Sequence, residues 1–310
     1  QAWDRAERAQ KLAESHFPDA LGVRLHRAYL SCESGHAAGD DAVFAGLDAI
    51  DDPGFDLLRV RHYLRSGEPG LAAAIAERRL SSSAALQFWP YCSLAWRLTD
   101  DTRKGWLEGE PLFATHADLP LGAEELGHLA VFLRELHKMN APYPEQSVRG
   151  GTQTDRNLLL HHDPIICALR GKIETAVKDW RDALPPDDAG HPLLGRKPDK
   201  VRFTGSWSVR LASGGHHSAH THPKGWASSA LYVKLPKTMG AGHAGELAIG
   251  QPPPELGLGL EPAGYISPKP ARLALFPSTS WHGTIPFEGE ERLTVAFDVA
   301  PSAVSKGLAA

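Results

Sequence analysis

Residues 201–297 carry four short apolar runs with histidines set between them, and no other stretch constrains the fold as tightly. Trp207, Val209 and Leu211 alternate with Ser206, Ser208 and Arg210 in strand fashion, and Ser228 to Leu235 reads as a buried strand. Leu273 to Phe276 and Leu293 to Phe297 are two more such runs. These short runs alternate with Gly/Pro turns, the pattern of an all-β sandwich or jelly roll. Residues i and i+2 of a strand share a face, so His220 and His222 can both point inward from one strand end. His282 lies near the end of another run, after Phe276 and Pro277. Two such strands facing each other bring three imidazoles to one cation. Imidazole suits Fe, Zn, Cu and Ni. A three-ligand face with open positions serves catalysis better than a closed structural site. His216 and His217, beside Gly214, Gly215 and Ser218, read as a solvated loop.

The front of the chain has a different period. Trp3, Ala6, Ala9, Leu12 and Ala13 recur at three- and four-residue spacing, and Phe17-Pro18 ends that helix. Leu21, Leu25, Ala28 and Tyr29 carry a second helix, residues 42–50 a third, and 55–64 and 71–80 two more. Small residues at packing positions and a Pro near each unit end suggest tetratricopeptide-type helical hairpins. Residues 86–98 hold Phe88, Trp89, Tyr91 and Trp96, an aromatic set read as core. Leu126, Leu129, Leu133 and Leu136 line one face of a further helix, and Asp163-Pro164 opens another, which Pro185 ends. Residues 140–157 between them are polar, rich in Gly and Pro, and without period. They read as a loop, either a solvated linker or a cover over an active site.

The chain has 310 residues, enough for two domains with their own cores. A net charge of -4 argues against nucleic acid or a membrane surface as partner. No apolar run approaches the length of a membrane span, and no segment reads as a signal peptide. The chain opens on Gln1 rather than Met, so residues can precede it. Cys32, Cys92 and Cys167 are odd in number, far apart and without CxxC spacing, as in a cytoplasmic protein with reduced thiols.

Six motifs together are specific. They are Gln146 to Thr154, Gly205 to Leu211, His220 to Trp226, Leu275 to Ser278, Trp281 to Thr284, and Arg292 to Phe297. With these motifs the chain resembles the bacterial 2-oxoglutarate, Fe(II)-dependent dioxygenases that follow tetratricopeptide repeats, distantly similar to prolyl hydroxylases. The resemblance covers about residues 142–301, and the helical front more weakly. It implies an α+β chain: helical, tetratricopeptide-like hairpins over residues 1–100, a helical linker and support segment over 101–200, and a double-stranded β-helix (jelly-roll) core over 201–303.

The resemblance also implies roles. His220 and His282 bind iron, and His222 stands where most of the superfamily has an Asp or Glu. His222 is then the third ligand, or Asp298 contributes a carboxylate as ligand or from behind one, or water fills the place. Arg292 would pair with the distal carboxylate of 2-oxoglutarate through a bidentate contact, with Thr294 and Tyr232 as further donors. Arg149, Thr152, Gln153 and Thr154 could close over substrate, and Trp207, Trp226 and Trp281 could wall the pocket.

The implied activity is hydroxylation of a C–H bond with Fe(II), 2-oxoglutarate and O2, ascorbate serving as reductant, and release of succinate and CO2. A protein, a peptide or an amino-acid-like molecule is the expected substrate. Two alternatives stand beside it: a cupin-like three-His dioxygenase that does not use 2-oxoglutarate, and an inactive repeat-type binding protein.

Overall fold

The structure is a computed structural model that describes residues 2–35, 39–139, 141 and 146–302. Positions 140 and 142–145 of the expected loop, and position 303 at the end of the expected core, lie outside the described residues. The chain divides into two compact units: Gln1–Lys104 with Pro254–Gly259, and Gly105–Pro253 with Leu260–Ala310.

The first unit is helical: α1 (Ala2–His16), α2 (Leu21–Glu33), α3 (Pro53–Arg65), α4 (Pro69–Arg78) and α5 (Ala85–Leu98). Pro53 and Pro69 sit in the first turn, where a missing N–H leaves no helical bond unmade. Asp52 caps α3 by accepting from the Phe55 N–H at 2.8 Å. The fully buried Asp56 of α3 accepts from Arg78 and Arg79, at 3.0 and 2.6 Å. A carboxylate at that depth needs such cations. Phe88 and Trp96 of α5 are fully buried, so its aromatic set is core. The helix expected over 42–50 is only a single 3-10 turn, Asp41–Phe44. Ala45 turns extended and Gly46 adopts φ +67°, which stops propagation.

After α6 (Arg103–Glu108), the second unit has β1 (Thr115–Asp118), α7 (Ala123–Leu136), β2 (Val148–Gln153), α8 (Pro164–Ala183), β3 (Phe203–His217), β4 (Ala227–Lys234), β5 (Leu247–Ile249), β6 (Gly264–Ile266), β7 (Arg272–Pro277), β8 (His282–Thr284) and β9 (Arg292–Val299). Two antiparallel sheets, ordered β1-β7-β4-β9-β3-β2 and β6-β5-β8, form the expected jelly roll. Among the described residues, no helix is long and apolar enough to cross a membrane.

Alternation along the strands divides the large sheet into two faces. Leu231, Leu273, Leu275, Leu293, Val295, Phe297 and Val299 pack against Leu129 and Leu133 of α7 and against Ile166, Leu169, Ile173 and Val177 of α8. Arg292, Thr294, Ala296 and Asp298 consequently point to the other face. There Ala274 and Phe276 of β7 pack with Leu247, Ile249 and Ile266 of the small sheet.

Residues 148–153, expected as loop, form the edge strand β2, paired with β3 from Val148↔His217 to Gln153↔Val209. A bulge lies between Arg149 and Gly151, and Gly150 has φ +67°. A Cβ on Gly151 would lie 2.3 Å from the Arg210 carbonyl oxygen, so the strand can dock there only as glycine. A polar edge strand with a glycine bulge carries no apolar alternation, which explains the misreading.

Two outcomes are expected. Leu293→Ala, in the fully buried helix-facing layer, lowers stability by about 2–5 kcal/mol in urea unfolding. His137 Nδ1 lies 2.8 Å from Thr152 Oγ1, and Nε2 lies 3.1 Å from Ser208 Oγ. Burial, with Arg210 adding, pushes this imidazole down to about 4. The unfolded chain therefore takes up the proton first, and the His137 contribution is full above about pH 6.5 and is lost toward pH 4. His137→Gln gives a shallower fall of the urea midpoint over that window; an unchanged slope would contradict this.

Candidate metal centre

His220 and His282 face each other across an isolated antiparallel bridge. The N–H of each donates to the carbonyl of the other, both at 3.0 Å. His222 is fixed by its own N–H, which donates to the Ser278 carbonyl at 2.9 Å. The ring centroids of His220 lie 4.3 Å from His282 and 5.0 Å from His222, and His222 lies 5.2 Å from His282. One nitrogen from each ring falls within 4.8 Å of the other two.

Hydrogen bonding selects those nitrogens. His220 Nδ1 lies 2.7 Å from the Ser218 carbonyl oxygen, His282 Nδ1 3.0 Å from that of Ser280, and His222 Nδ1 2.8 Å from Asp298 Oδ2. Carbonyl and carboxylate oxygens accept, so each Nδ1 carries the proton and each Nε2 keeps its lone pair. Burial, reinforced by the neighbouring imidazoles, depresses His220 to about 4 and His282 well below its ordinary value. These rings are neutral at pH 7, and a cation need displace no proton to bind them.

The other sheet-facing residues surround a second feature. Arg292 is only 2% exposed, and among the described residues no carboxylate lies within ion-pairing distance of it. One guanidinium nitrogen donates to the Gly245 carbonyl at 2.7 Å, while Nε has no partner. The Tyr232 hydroxyl, on a fully buried ring 4.9 Å from the guanidinium carbon, makes no hydrogen bond of regular geometry and interacts with that guanidinium instead. Thr294 pairs in register with both Tyr232 and Val209, on the same face. A buried cation with idle donors suits an anion. Residues 205–298 match the family model described as "Putative 2OG-Fe(II) oxygenase".

Over these residues the chain is similar to the 2OG-Fe(II) oxygenases. Solved structures similar in fold include a viral collagen prolyl hydroxylase from Paramecium bursaria Chlorella virus-1 in its 2OG complex. It is 16% identical, with a TM-score of 0.43, over 63% of this chain and 98% of that one. A Pseudomonas putida prolyl-4-hydroxylase is 18% identical with a TM-score of 0.39, over 60% and 91%. HygX from Streptomyces hygroscopicus, with nickel, 2-oxoglutarate and hygromycin B bound, is 13% identical with a TM-score of 0.44, over 64% and 87%. No curated protein sequence matches the chain.

For an oxygenase of this family, the residues fit the expected groups. Three imidazole lone pairs suit Fe(II), and the orphaned donors of Arg292 and Tyr232 suit the carboxylate of 2-oxoglutarate. Trp207 stacks on His222, with centroids 5.8 Å apart and planes 10° apart. Other expected residues lie elsewhere. Trp226 is buried in the helix-facing core and donates to the Leu193 carbonyl at 2.8 Å. Thr152, opposite Arg210, faces the helices, and the exposed Arg149 donates to the carbonyls of Gln146 and Val148. Thr154 Oγ1 accepts from the Ser208 N–H at 2.9 Å. Of this set only Gln153, opposite Val209, shares the face of Thr294.

Two neighbours of the imidazoles escaped the sequence reading. His217 is not solvated loop: it ends β3 and stacks 5.9 Å from His220. Ser147 Oγ lies 3.0 Å from His217 Nδ1 and 3.3 Å from His220 Nε2. The bulged pairing of β2 that brings them in leaves no periodic trace.

Gly225 lets the His222 turn close on β7. A Cβ there would lie 2.4 Å from Ser278 Oγ and 3.0 Å from Ser278 Cβ. Gly225→Ala is expected to cost about 1–3 kcal/mol by overpacking, read as a lower unfolding midpoint.

Proposed function

We propose that His220, His222 and His282 hold Fe(II) through Nε2, and that Arg292, Tyr232 and Thr294 receive the distal carboxylate of 2-oxoglutarate. The observation that carries this reading is the pairing of three clustered imidazoles with a buried guanidinium that has no carboxylate partner, on one sheet face. When bound, the iron supplies the O2 chemistry that couples oxidation of 2-oxoglutarate to succinate and CO2 with hydroxylation of a substrate C–H bond. The chain's own residues position and shield. Backbone carbonyls and Asp298 hold the three Nδ1 protons, so the rings cannot turn. The Arg292 fork orients a carboxylate bidentately, which a lysine cannot reproduce.

We further propose a protein, peptide or amino-acid-like substrate. The successive helices α1 to α5, read as tetratricopeptide-like hairpins, support a peptide. A reducing, cytoplasmic setting is supported by three cysteines that remain thiols.

The test is succinate formation from 2-oxoglutarate by anaerobically purified protein given Fe(II), ascorbate and air. Turnover is expected for the parent and not for His282→Ala. Arg292→Lys is expected to raise the KM for 2-oxoglutarate roughly 10–100-fold, the worth of a charge-assisted contact. Equal turnover in both variants would refute the assignment. Peptide pools and free amino acids, added separately, identify the substrate class by which of them stimulates succinate release.

A further inference from the structure

Asp298 is 9% exposed, and its hydrogen bonds form a directed set. Ser228 Oγ donates to Asp298 Oδ1 at 2.6 Å, and Ser278 Oγ lies 2.9 Å from Ser228 Oγ. Ser228 has spent its proton on the carboxylate, so Ser278 is the donor to Ser228. His222 Nδ1 donates to the other oxygen, Oδ2, at 2.8 Å. Among the described residues, no Lys or Arg lies within ion-pairing distance of Asp298; its one ion-pairing partner is His222. Of the three rings, His220 and His282 rest on neutral carbonyls, and only His222 rests on a carboxylate.

We propose that Asp298 is the anionic member of this metal centre, placed one ring behind it: a positioning residue that acts through His222. This rests on the reading that the three imidazoles hold a divalent metal. Three neutral imidazoles leave both charges of such an ion unanswered. A carboxylate on Nδ1–H makes Nε2 a stronger donor, fixes the ring, and returns one negative charge to a poorly solvated site. The serines hold the carboxylate with one oxygen aimed at the ring. The Trp207 indole stacked on His222 restricts the same ring from its face.

The experiment is calorimetric titration of metal-free protein with Co(II), with the metal-free unfolding midpoint measured alongside. The parent is expected to bind one Co(II), and His282→Ala is expected to lose it. Asp298→Asn keeps an oxygen for Nδ1–H but removes the charge, and is expected to bind roughly 10–100-fold more weakly. His222→Asp supplies a carboxylate directly and no longer has an Nδ1–H for Asp298 to accept. In that background Asp298→Asn is expected to cost nothing or to improve affinity. Parent-like affinity in Asp298→Asn, or the same loss in both backgrounds, overturns the proposal, since a merely structural role does not depend on residue 222. Ser228→Ala, which loosens the carboxylate without removing it, decides the matter if Asp298→Asn does not fold. A several-fold weaker affinity supports positioning, and parent-like affinity overturns it. A parent that binds no Co(II) removes the metal reading itself, and is distinguished by failing before any Asp298 variant is consulted.

Discussion

Strand β9 has one obligation from which most of the site follows. Leu293, Val295, Phe297 and Val299 must bury against the helices, because exposing four such side chains would forgo roughly 1.5–3 kcal/mol each. Side chains alternate along a strand, so Arg292, Thr294 and Asp298 then have no choice of face. A slip of one residue would drive a guanidinium and a carboxylate into an apolar layer. Neighbouring strands reinforce the register: β3 sets Trp207, Val209 and Leu211 opposite Ala296, Thr294 and Arg292, and β4 sets Ser228 and Tyr232 opposite Asp298 and Thr294. The chemistry of the site is carried on the reverse side of a core-forming pattern.

That arrangement leaves polar groups buried on the reverse face, and each is answered differently. His220 and His282 are kept neutral by burial and proton-fixed by local carbonyls. Asp298 is answered by a ring and a serine. Arg292 and Tyr232 are not fully answered by protein, and the proposed carboxylate would meet the donors they leave over. In the helical unit, by contrast, Asp56 is buried to the same depth and fully paired with Arg78 and Arg79. Satisfied burial stabilises a fold; the incompletely satisfied burial beside three clustered imidazoles is what the proposed ligands would complete.

Much of this was legible in the sequence because it is periodic or closely spaced. His220 and His222 share a face by the two-residue repeat, and Arg292, Thr294 and Asp298 share one for the same reason. The helices over α7 and α8 follow from their apolar stripes and from Asp163-Pro164. What was not legible depends on contacts distant in sequence. That β2 is a strand, and that His217 joins the imidazoles, follow from a glycine bulge that only the partner strand explains. That Trp207 faces the histidines depends on its parity in β3, and that Trp226 faces the helices depends on the bend that precedes β4. The choice between His222 and Asp298 is undetermined from spacing, since it rests on a 2.8 Å contact between residues 76 positions apart.

The most direct measurement is a crystal structure of the protein soaked anaerobically with Mn(II) and 2-oxoglutarate, with the metal located by anomalous scattering. The metal is expected on Nε2 of His220, His222 and His282, and the distal carboxylate against Arg292 and the Tyr232 hydroxyl. Metal bound elsewhere, Asp298 ligating directly with His222 turned away, or 2-oxoglutarate bound without touching Arg292 would contradict it.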